Sequence, residues 1–149
     1  MVDRRLVDAS AVLEEAFEET RDWVANAPEL SVCAIHGDIN PGNVLARDGN
    51  VVALLDWSFA RLDWPAVDLA CVVGVLALCG DGSMDTSVVE RAMLAYADAG
   101  GPGETDVLVP LLRLFFPAVS LFSLTRRARG ESWNPEIVAL MERGLAKLG

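Results

Sequence analysis

The sequence predicts an α+β domain that is mostly α-helical, with one β-hairpin beside a polar loop. Three observations predict it. Long apolar segments carry helical spacing, two short apolar runs flank Asp48-Gly49-Asn50, and His36 to Asn43 holds two glycines and a proline in eight residues. Periodicity separates helix from strand, and Asp-Gly between apolar runs is a hairpin signal.

The elements follow in order. From about Asp8 to Ala27, Leu13, Phe17, Thr20 and Val24 recur at helical spacing, with Ala16 and Trp23 filling the same stripe, so a helix is expected to end before Pro28. Ser31 to Ile35 is β-like and leads into the loop His36-Gly37-Asp38-Ile39-Asn40-Pro41-Gly42-Asn43, whose composition rules out regular structure. Val44–Arg47 and Val51–Leu55 are the expected hairpin strands. Ala66 to Cys79 reads as a helix. A second helix spans Ser87 to Ala99, where Ser87 and Glu90 have capping-box spacing and Gly100 supplies the stop. Val107 to Leu124 reads as one or two helices interrupted near Pro110 or Pro117, with Arg126, Arg127 and Arg129 suiting a C-terminus closed by Gly130. Asn134 as N-cap and Pro135 at the first helical position announce a last helix to about Lys147.

A chain of 149 residues fits one domain over residues 1–149, and 52% hydrophobic residues exclude a disordered chain. So apolar a composition leaves open that some surface is covered by a partner or another domain. The balance of 22 acidic against 12 basic residues gives a net charge of −10, which repels nucleic acid and anionic membranes and attracts a cationic small substrate. Much of that charge reads as solvated helix surface, as at Glu14, Glu15, Glu18, Glu19 and Asp22. Cys33, Cys71 and Cys79 form no CxxC pair and read as core residues of a reducing, cytoplasmic compartment. No secretory signal opens the chain. The most apolar segment, Ala66 to Gly80, is shorter than the ~20 residues of a membrane span and reads as a buried core helix.

The chemistry concentrates between His36 and Asp68. Asp38 is followed five residues later by Asn43, and thirteen residues further by Asp56, at the end of an apolar strand before Trp57. A hairpin brings Asp56 back beside Asn43, because paired strands lie about 4.8 Å apart. Asparagine and aspartate converging in this way offer the hard oxygen ligands of Mg²⁺, which takes few protein groups and completes its shell with water and phosphates. Asp38 can then accept a proton from an attacking hydroxyl, and together these are the parts phosphoryl transfer needs. Taken singly, each piece has a plain reading. An Asp-Trp pair is commonly a strand end with a packed indole, an Asn after Gly a turn residue, and a lone histidine a satisfied structural one. Trp57 and Trp64 could line a pocket, but core packing is the better reading.

His36-Gly37-Asp38-Ile39-Asn40-Pro41-Gly42-Asn43-Val44-Leu45, with Leu55-Asp56-Trp57 and Asp68-Leu69-Ala70, resembles the aminoglycoside phosphotransferase and choline kinase group. The resemblance is good from about Leu13 to Leu69 and weak beyond. It implies the C-terminal lobe of a protein-kinase-like fold, with Asp38 as catalytic base and Asn43 and Asp56 as Mg²⁺ ligands. It also implies a bracing role for His36, support of the loop by Asp68, and ATP or another nucleoside triphosphate as phosphate donor. Gly37 and Gly42 let the backbone turn tightly and Pro41 stiffens it.

Kinases of this fold also grip ATP with a β-sheet lobe and a lysine. Only 35 residues precede His36 here, and the one lysine is Lys147. Gly100 to Gly103 follows a helix and lacks GxGxxG spacing, so it suggests no phosphate cradle and no nucleotide-binding residue is assigned. Three explanations follow: another chain supplies the gripping lobe, the chain is a fragment or a truncated gene product, or the lobe has been lost and activity with it. Two readings stay open: a phosphotransferase acting on a hydroxyl of a small, amine-bearing substrate, or a catalytically silent lobe that binds or dimerises. In the second, the exposed inter-lobe face would dimerise with a second copy or dock a partner chain.

Overall fold

The computed structural model of the chain describes residues 4–26 and 29–131, together with 136, 139, 140, 143, 144 and 147. It is mixed α and β, mostly helical, with two small two-stranded sheets.

Helix α1 spans Arg4–Asn26, longer at its start than the spacing suggested. Its expected apolar stripe is only partly buried. Ala16 is covered, whereas Phe17 and Val24 are exposed, because α1 lies along helix α4 with the face that carries Ala16. Trp23 sets its ring edge-on against Trp64, with centroids 6.0 Å apart, and Arg113 pairs with Glu19 at 2.8 Å. That pair is half exposed on both sides and orients the helices more than it stabilises them.

Strand β1, Cys33–Ile35, leads directly into the loop. Its partner is β4, Arg61–Asp63, antiparallel in the register Cys33↔Asp63, Ala34↔Leu62, Ile35↔Arg61. The sequence did not announce β4, since Arg-Leu-Asp has no apolar run of its own and becomes a strand only through this long-range pairing. Strands β2, Val44–Arg47, and β3, Asn50–Leu54, form the expected hairpin. Its turn has two residues, Asp48 (φ 52) and Gly49 (φ 78), the paired positive φ values of a type I′ turn. Asn50 accordingly belongs to the strand.

Helix α2, Pro65–Leu76, starts with proline at its first turn, where no N–H is needed, and supplies the core residues Leu69, Ala70 and Val73. It ends three residues short of Cys79. Helix α3, Thr86–Asp98, is capped by Asp85, whose carboxylate accepts from the N–H groups of Ser87 and Val88. The expected cap at Ser87 is thus displaced by two residues, the ionised Asp85 being the better acceptor beside the helix dipole. Gly100 (φ 84) closes α3 as expected.

A short 3₁₀ turn, Thr105–Val107, runs into α4, Leu108–Ala128. Pro117 lies inside α4 and neither proline divides it; Pro110 falls in the first turn, where a proline is tolerated. Thr105–Ala128 is long and apolar enough, by length and composition, to cross a membrane, a feature the sequence reading had sought only in Ala66–Gly80. Here it packs on α1 and α2, with Phe116, Ser120, Ser123 and Leu124 buried, so the fold uses it as a core helix. Gly74 of α2 permits the close approach: a Cβ there would lie 2.6 Å from the Phe115 ring. Val73, Ala77 and Leu108 form the centre of the core, and α3 lays Val88, Ala92 and Met93 against it.

Asn134 and Pro135, the expected start of the last helix, lie outside the described residues; Glu136, Ala139, Leu140, Arg143, Gly144 and Lys147 are helical. Lys147 faces Asp81 at 3.7 Å. Of the three cysteines, all free, Cys33 is exposed and Cys71 and Cys79 are partly buried. Cys33 is therefore no core residue: it sits on the two-stranded β1–β4 sheet and stays exposed.

Candidate active site

The loop between β1 and β2 is held by its backbone amides. Asp68, in the first turn of α2, accepts from the N–H of His36 through Oδ2 (2.8 Å) and from the N–H of Gly37 through Oδ1 (2.7 Å). The carboxylate is partly rather than fully buried, and both oxygens are engaged, so it is held as an acceptor. Gly37 takes φ 80, and a Cβ at this position would lie 2.5 Å from the carbonyl oxygen of Phe59. Both facts require glycine.

His36 is 2% exposed. Its Nε2 lies 2.8 Å from the carbonyl oxygen of Leu55, which can only accept, so Nε2 carries the proton. Nδ1 is left as an acceptor and faces the Asp38 N–H at a longer 3.3 Å. The imidazole thus bridges the start of the loop and the end of the hairpin. Trp57 covers it, centroids 4.8 Å apart, while remaining 57% exposed. Core packing does not describe the exposed Trp57, whereas Trp64 packs on Trp23.

Asp38 and Asn43 meet directly. The Asn43 Nδ2 donates to Asp38 Oδ2 and to the Asp38 carbonyl, each at 2.9 Å. With its nitrogen committed, the Asn43 amide presents its oxygen as the remaining polar atom. Asn40 completes the arrangement. Its Nδ2 donates to Asp38 Oδ1 at 3.0 Å, while its Oδ1 caps the short 3₁₀ turn Pro41–Asn43 by accepting from the Gly42 N–H at 2.9 Å. The sequence reading passed over Asn40, although Asn before Pro-Gly is the signature of such a cap. The turn itself is the one piece of regular structure in a loop expected to have none.

Asp56 arrives from the other end of the hairpin. Val44 pairs with Leu54, and the Leu55 N–H donates to the Asn43 carbonyl at 2.8 Å, so Leu55 is fixed at its N–H by Asn43 and at its carbonyl by His36. The next residue, Asp56, adopts φ 56, a left-handed conformation that aspartate tolerates better than most side chains. Its Oδ1 accepts from the Ser58 hydroxyl (2.6 Å) and N–H (3.3 Å), and these bonds hold the exposed carboxyl below its ordinary 3.8. Oδ2 has no hydrogen-bond partner among the described residues. Ser58 is a second residue the sequence reading missed, for which the Asp-x-Ser spacing was the available signal.

Cys71 lies behind the loop, one helical turn beyond Asp68. Burial first, then the charges of Asp68 and Asp38, push its thiol from 9.0 to about 11. Asn43 and Asp56 fit a hard divalent cation in donor type: an amide oxygen and an ionised, exposed carboxylate with a spare oxygen suit Mg²⁺. No group of three or more His, Cys, Asp or Glu able to hold a metal occurs among the described residues. A depression of about 330 Å³ between Cys33, Pro65, Tyr96 and Gly101 contains none of the candidate site residues.

A loop that braces an aspartate with two asparagines leads into a hairpin whose second strand is followed by Leu55 and a second aspartate. The chain belongs to the phosphotransferase enzyme family, whose match runs over residues 2–108 and so extends through α3. It is similar to the homoserine kinase of Pseudomonas aeruginosa, 30% identical over 90 residues, which are 60% of this chain and 28% of that protein. It is equally similar to the homoserine kinase of Azorhizobium caulinodans, 30% identical over 118 residues, 79% of this chain and 36% of that protein. The chain thus spans about a third of the length of these relatives.

Proposed function

We propose that this chain is the catalytic part of an ATP-dependent small-molecule O-phosphotransferase, built as the C-terminal lobe of a protein-kinase-like fold. The observation that supports the reading is the double hold on Leu55, the residue before Asp56, by Asn43 and His36, beside the Asn43–Asp38 pair.

In this reading Asp38 accepts the proton of the acceptor hydroxyl as its oxygen bonds to the γ-phosphorus of ATP and the bond to the leaving ADP oxygen breaks. Asn40 and Asn43 aim the base by donating to its two oxygens. Asn43 Oδ1 and Asp56 would hold Mg²⁺, which supplies neutralisation of charge on the transferred phosphate. His36 sets the spacing between the two halves and carries no proton in the reaction. Lys147 pairs with Asp81 at 3.7 Å and is assigned no part in gripping the nucleotide.

The relatives' name makes homoserine, a hydroxylated amino acid, their acceptor. An amine-bearing alcohol is the acceptor class proposed here, to which an aminoglycoside, a choline-like alcohol or a hydroxylated amino acid belongs; the net charge of −10 favours the amine. A second reading, a catalytically silent lobe that docks a partner, draws on the exposed Leu45, Val51, Val52, Trp57, Phe59 and Leu62 around the site.

The test is transfer of labelled phosphate from ATP by the assembly that includes the nucleotide-gripping part, with Asp38→Asn beside the wild type. Loss of about 100-fold or more with unchanged melting supports the base role. Equal turnover eliminates it, and calorimetry showing no Mg-ATP binding to the wild-type assembly favours the second reading.

A further inference from the structure

Arg61 plays no part in the scheme above, yet it touches both halves of the site. It sits on β4 opposite Ile35, the residue before His36. Its Nε donates to Asp63 Oδ2 at 2.8 Å and its Nη1 to the Phe59 carbonyl at 3.2 Å. The same Nη1 lies so close over Gly37 that a Cβ there would be 2.6 Å away. Two hydrogen bonds within its own segment therefore fix the guanidinium, and its tip fills the space that a side chain at position 37 would otherwise take. Gly37 directly precedes Asp38; Phe59 belongs to the turn Trp57–Ala60 that follows Asp56 and closes with the Ala60 N–H on the Trp57 carbonyl.

We propose that Arg61 is a positioning residue, a latch that locks the turn after Asp56 onto Gly37 and so fixes the metal-ligand carboxylate relative to the base. Asp63 is the part that holds the latch shut. The chemistry requires arginine: only a planar fork donates from Nε and Nη1 to two partners while its tip lies over Gly37, and a lysine ammonium at the same place is a compact point donor. The pair with Asp63 also neutralises the guanidinium, so its task is mechanical rather than anion capture. With Asp63 half-shielded and Arg61 half-exposed, the pair is worth little as a surface salt bridge, and its value lies in geometry.

The effect on metal affinity rests on the phosphotransfer reading; the latch itself does not. The experiment therefore has two readouts on the full chain, comparing wild type with Arg61→Met, Arg61→Lys and Asp63→Asn. The first is amide hydrogen exchange. The hydrogen-bonded amides of Gly37, Asp38, Ser58 and Ala60 are expected to exchange on the order of fivefold to tenfold faster in Arg61→Met and Asp63→Asn, the ratio set by losing about one net hydrogen bond. The β2–β3 amides are expected to be unchanged. Unchanged exchange at all four amides overturns the proposal. If Arg61→Met fails to fold, Asp63→Asn, which keeps the arginine stem, decides alone.

The second readout is Mn²⁺ binding followed by electron paramagnetic resonance. Affinity is expected to fall about tenfold in Arg61→Met, as for other residues supporting a metal ligand, with no recovery in Arg61→Lys. Equal affinity in wild type and Arg61→Met overturns the claim that the latch serves the metal ligands. A wild type that binds no Mn²⁺ counts against the phosphotransfer reading instead, while the exchange measurement still decides the latch.

Discussion

Substituting Asp68 by Asn isolates the contact that holds the catalytic loop to the helical core. The carboxylate accepts two short bonds from consecutive amides, His36 at 2.8 Å and Gly37 at 2.7 Å. Asparagine is isosteric and keeps one acceptor, but its amide nitrogen must then face one of the two N–H groups. One charge-assisted bond is lost, one weakens to a neutral bond, and one partly buried N–H is left without a partner, for a total of about 2–3 kcal/mol. Against a total stability of about 5–15 kcal/mol this is a large fraction. For a chain of this size it corresponds to a melting temperature lower by roughly 5–10 °C. The assay is thermal unfolding followed by circular dichroism, with amide exchange to locate the change. Exchange at His36 and Gly37 should rise more than exchange in α3, which shares the core but not the contact. A variant within about 0.5 kcal/mol of wild type, the range of an ordinary surface substitution, would refute the argument.

Removing the partner of Asp56 acts on titration. Ser58→Ala deletes the hydroxyl that does most to hold the Asp56 carboxyl below 3.8, so its carboxyl carbon resonance is expected to titrate at higher pH, and an unmoved curve contradicts the assignment. Because the folded value lies below the unfolded one, the hydrogen bonds contribute stability that is fully present above about pH 4 and fades as pH falls through the folded value; Ser58→Ala should flatten that acid-side dependence. Thiol labelling sorts the cysteines: with iodoacetamide near pH 8, mass spectrometry should find Cys33, which is exposed, modified well before Cys71, whose thiol is pushed up to about 11. Labelling of Cys71 first in the folded chain contradicts its place behind the loop.

The parts legible in the sequence were those whose cause is local. The hairpin declared itself through Asp48-Gly49, because only a few residues accept two successive positive φ values. The loop was equally legible, as was the end of α3 at Gly100. The parts that escaped depend on distant partners. Strand β4 exists because β1 pairs with it, and the continuity of α4 through Pro117 follows from packing on α1 and α2, which outweighs one missing backbone bond. The α1 stripe misled for a related reason: Phe17 and Val24 satisfy the helical period, but α4 covers a different sector of the helix. In the site, the residue types and spacing pointed to Asp38, Asn43 and Asp56. Asn40, Ser58 and Arg61 were missed because each acts on another residue's backbone or carboxylate, which spacing alone does not reveal.

The chain has one histidine, and its placement explains how the end of the hairpin that precedes Asp56 is tied to the loop that carries Asp38 and Asn43. Hydrogen bonds along β2 and β3 fix Leu54 opposite Val44, but a bulge between Leu45 and Ala46 gives the hairpin extra twist and loosens its hold on direction. The Leu55 carbonyl, just past the last pair, would be free to rotate and carry Asp56 with it. His36 removes that freedom by donating to this carbonyl from within the loop, while Asp68 immobilises the backbone on which the imidazole stands. The path from Asp38 to Asp56 thus runs through the loop amides held on α2, the imidazole and Leu55, and the hydrogen bonds from His36 and Gly37 to Asp68 and from His36 to Leu55 are all 2.8 Å or shorter. Such a chain tolerates change in the hairpin tip, where Val51 and Val52 are exposed, far better than change at any of its links.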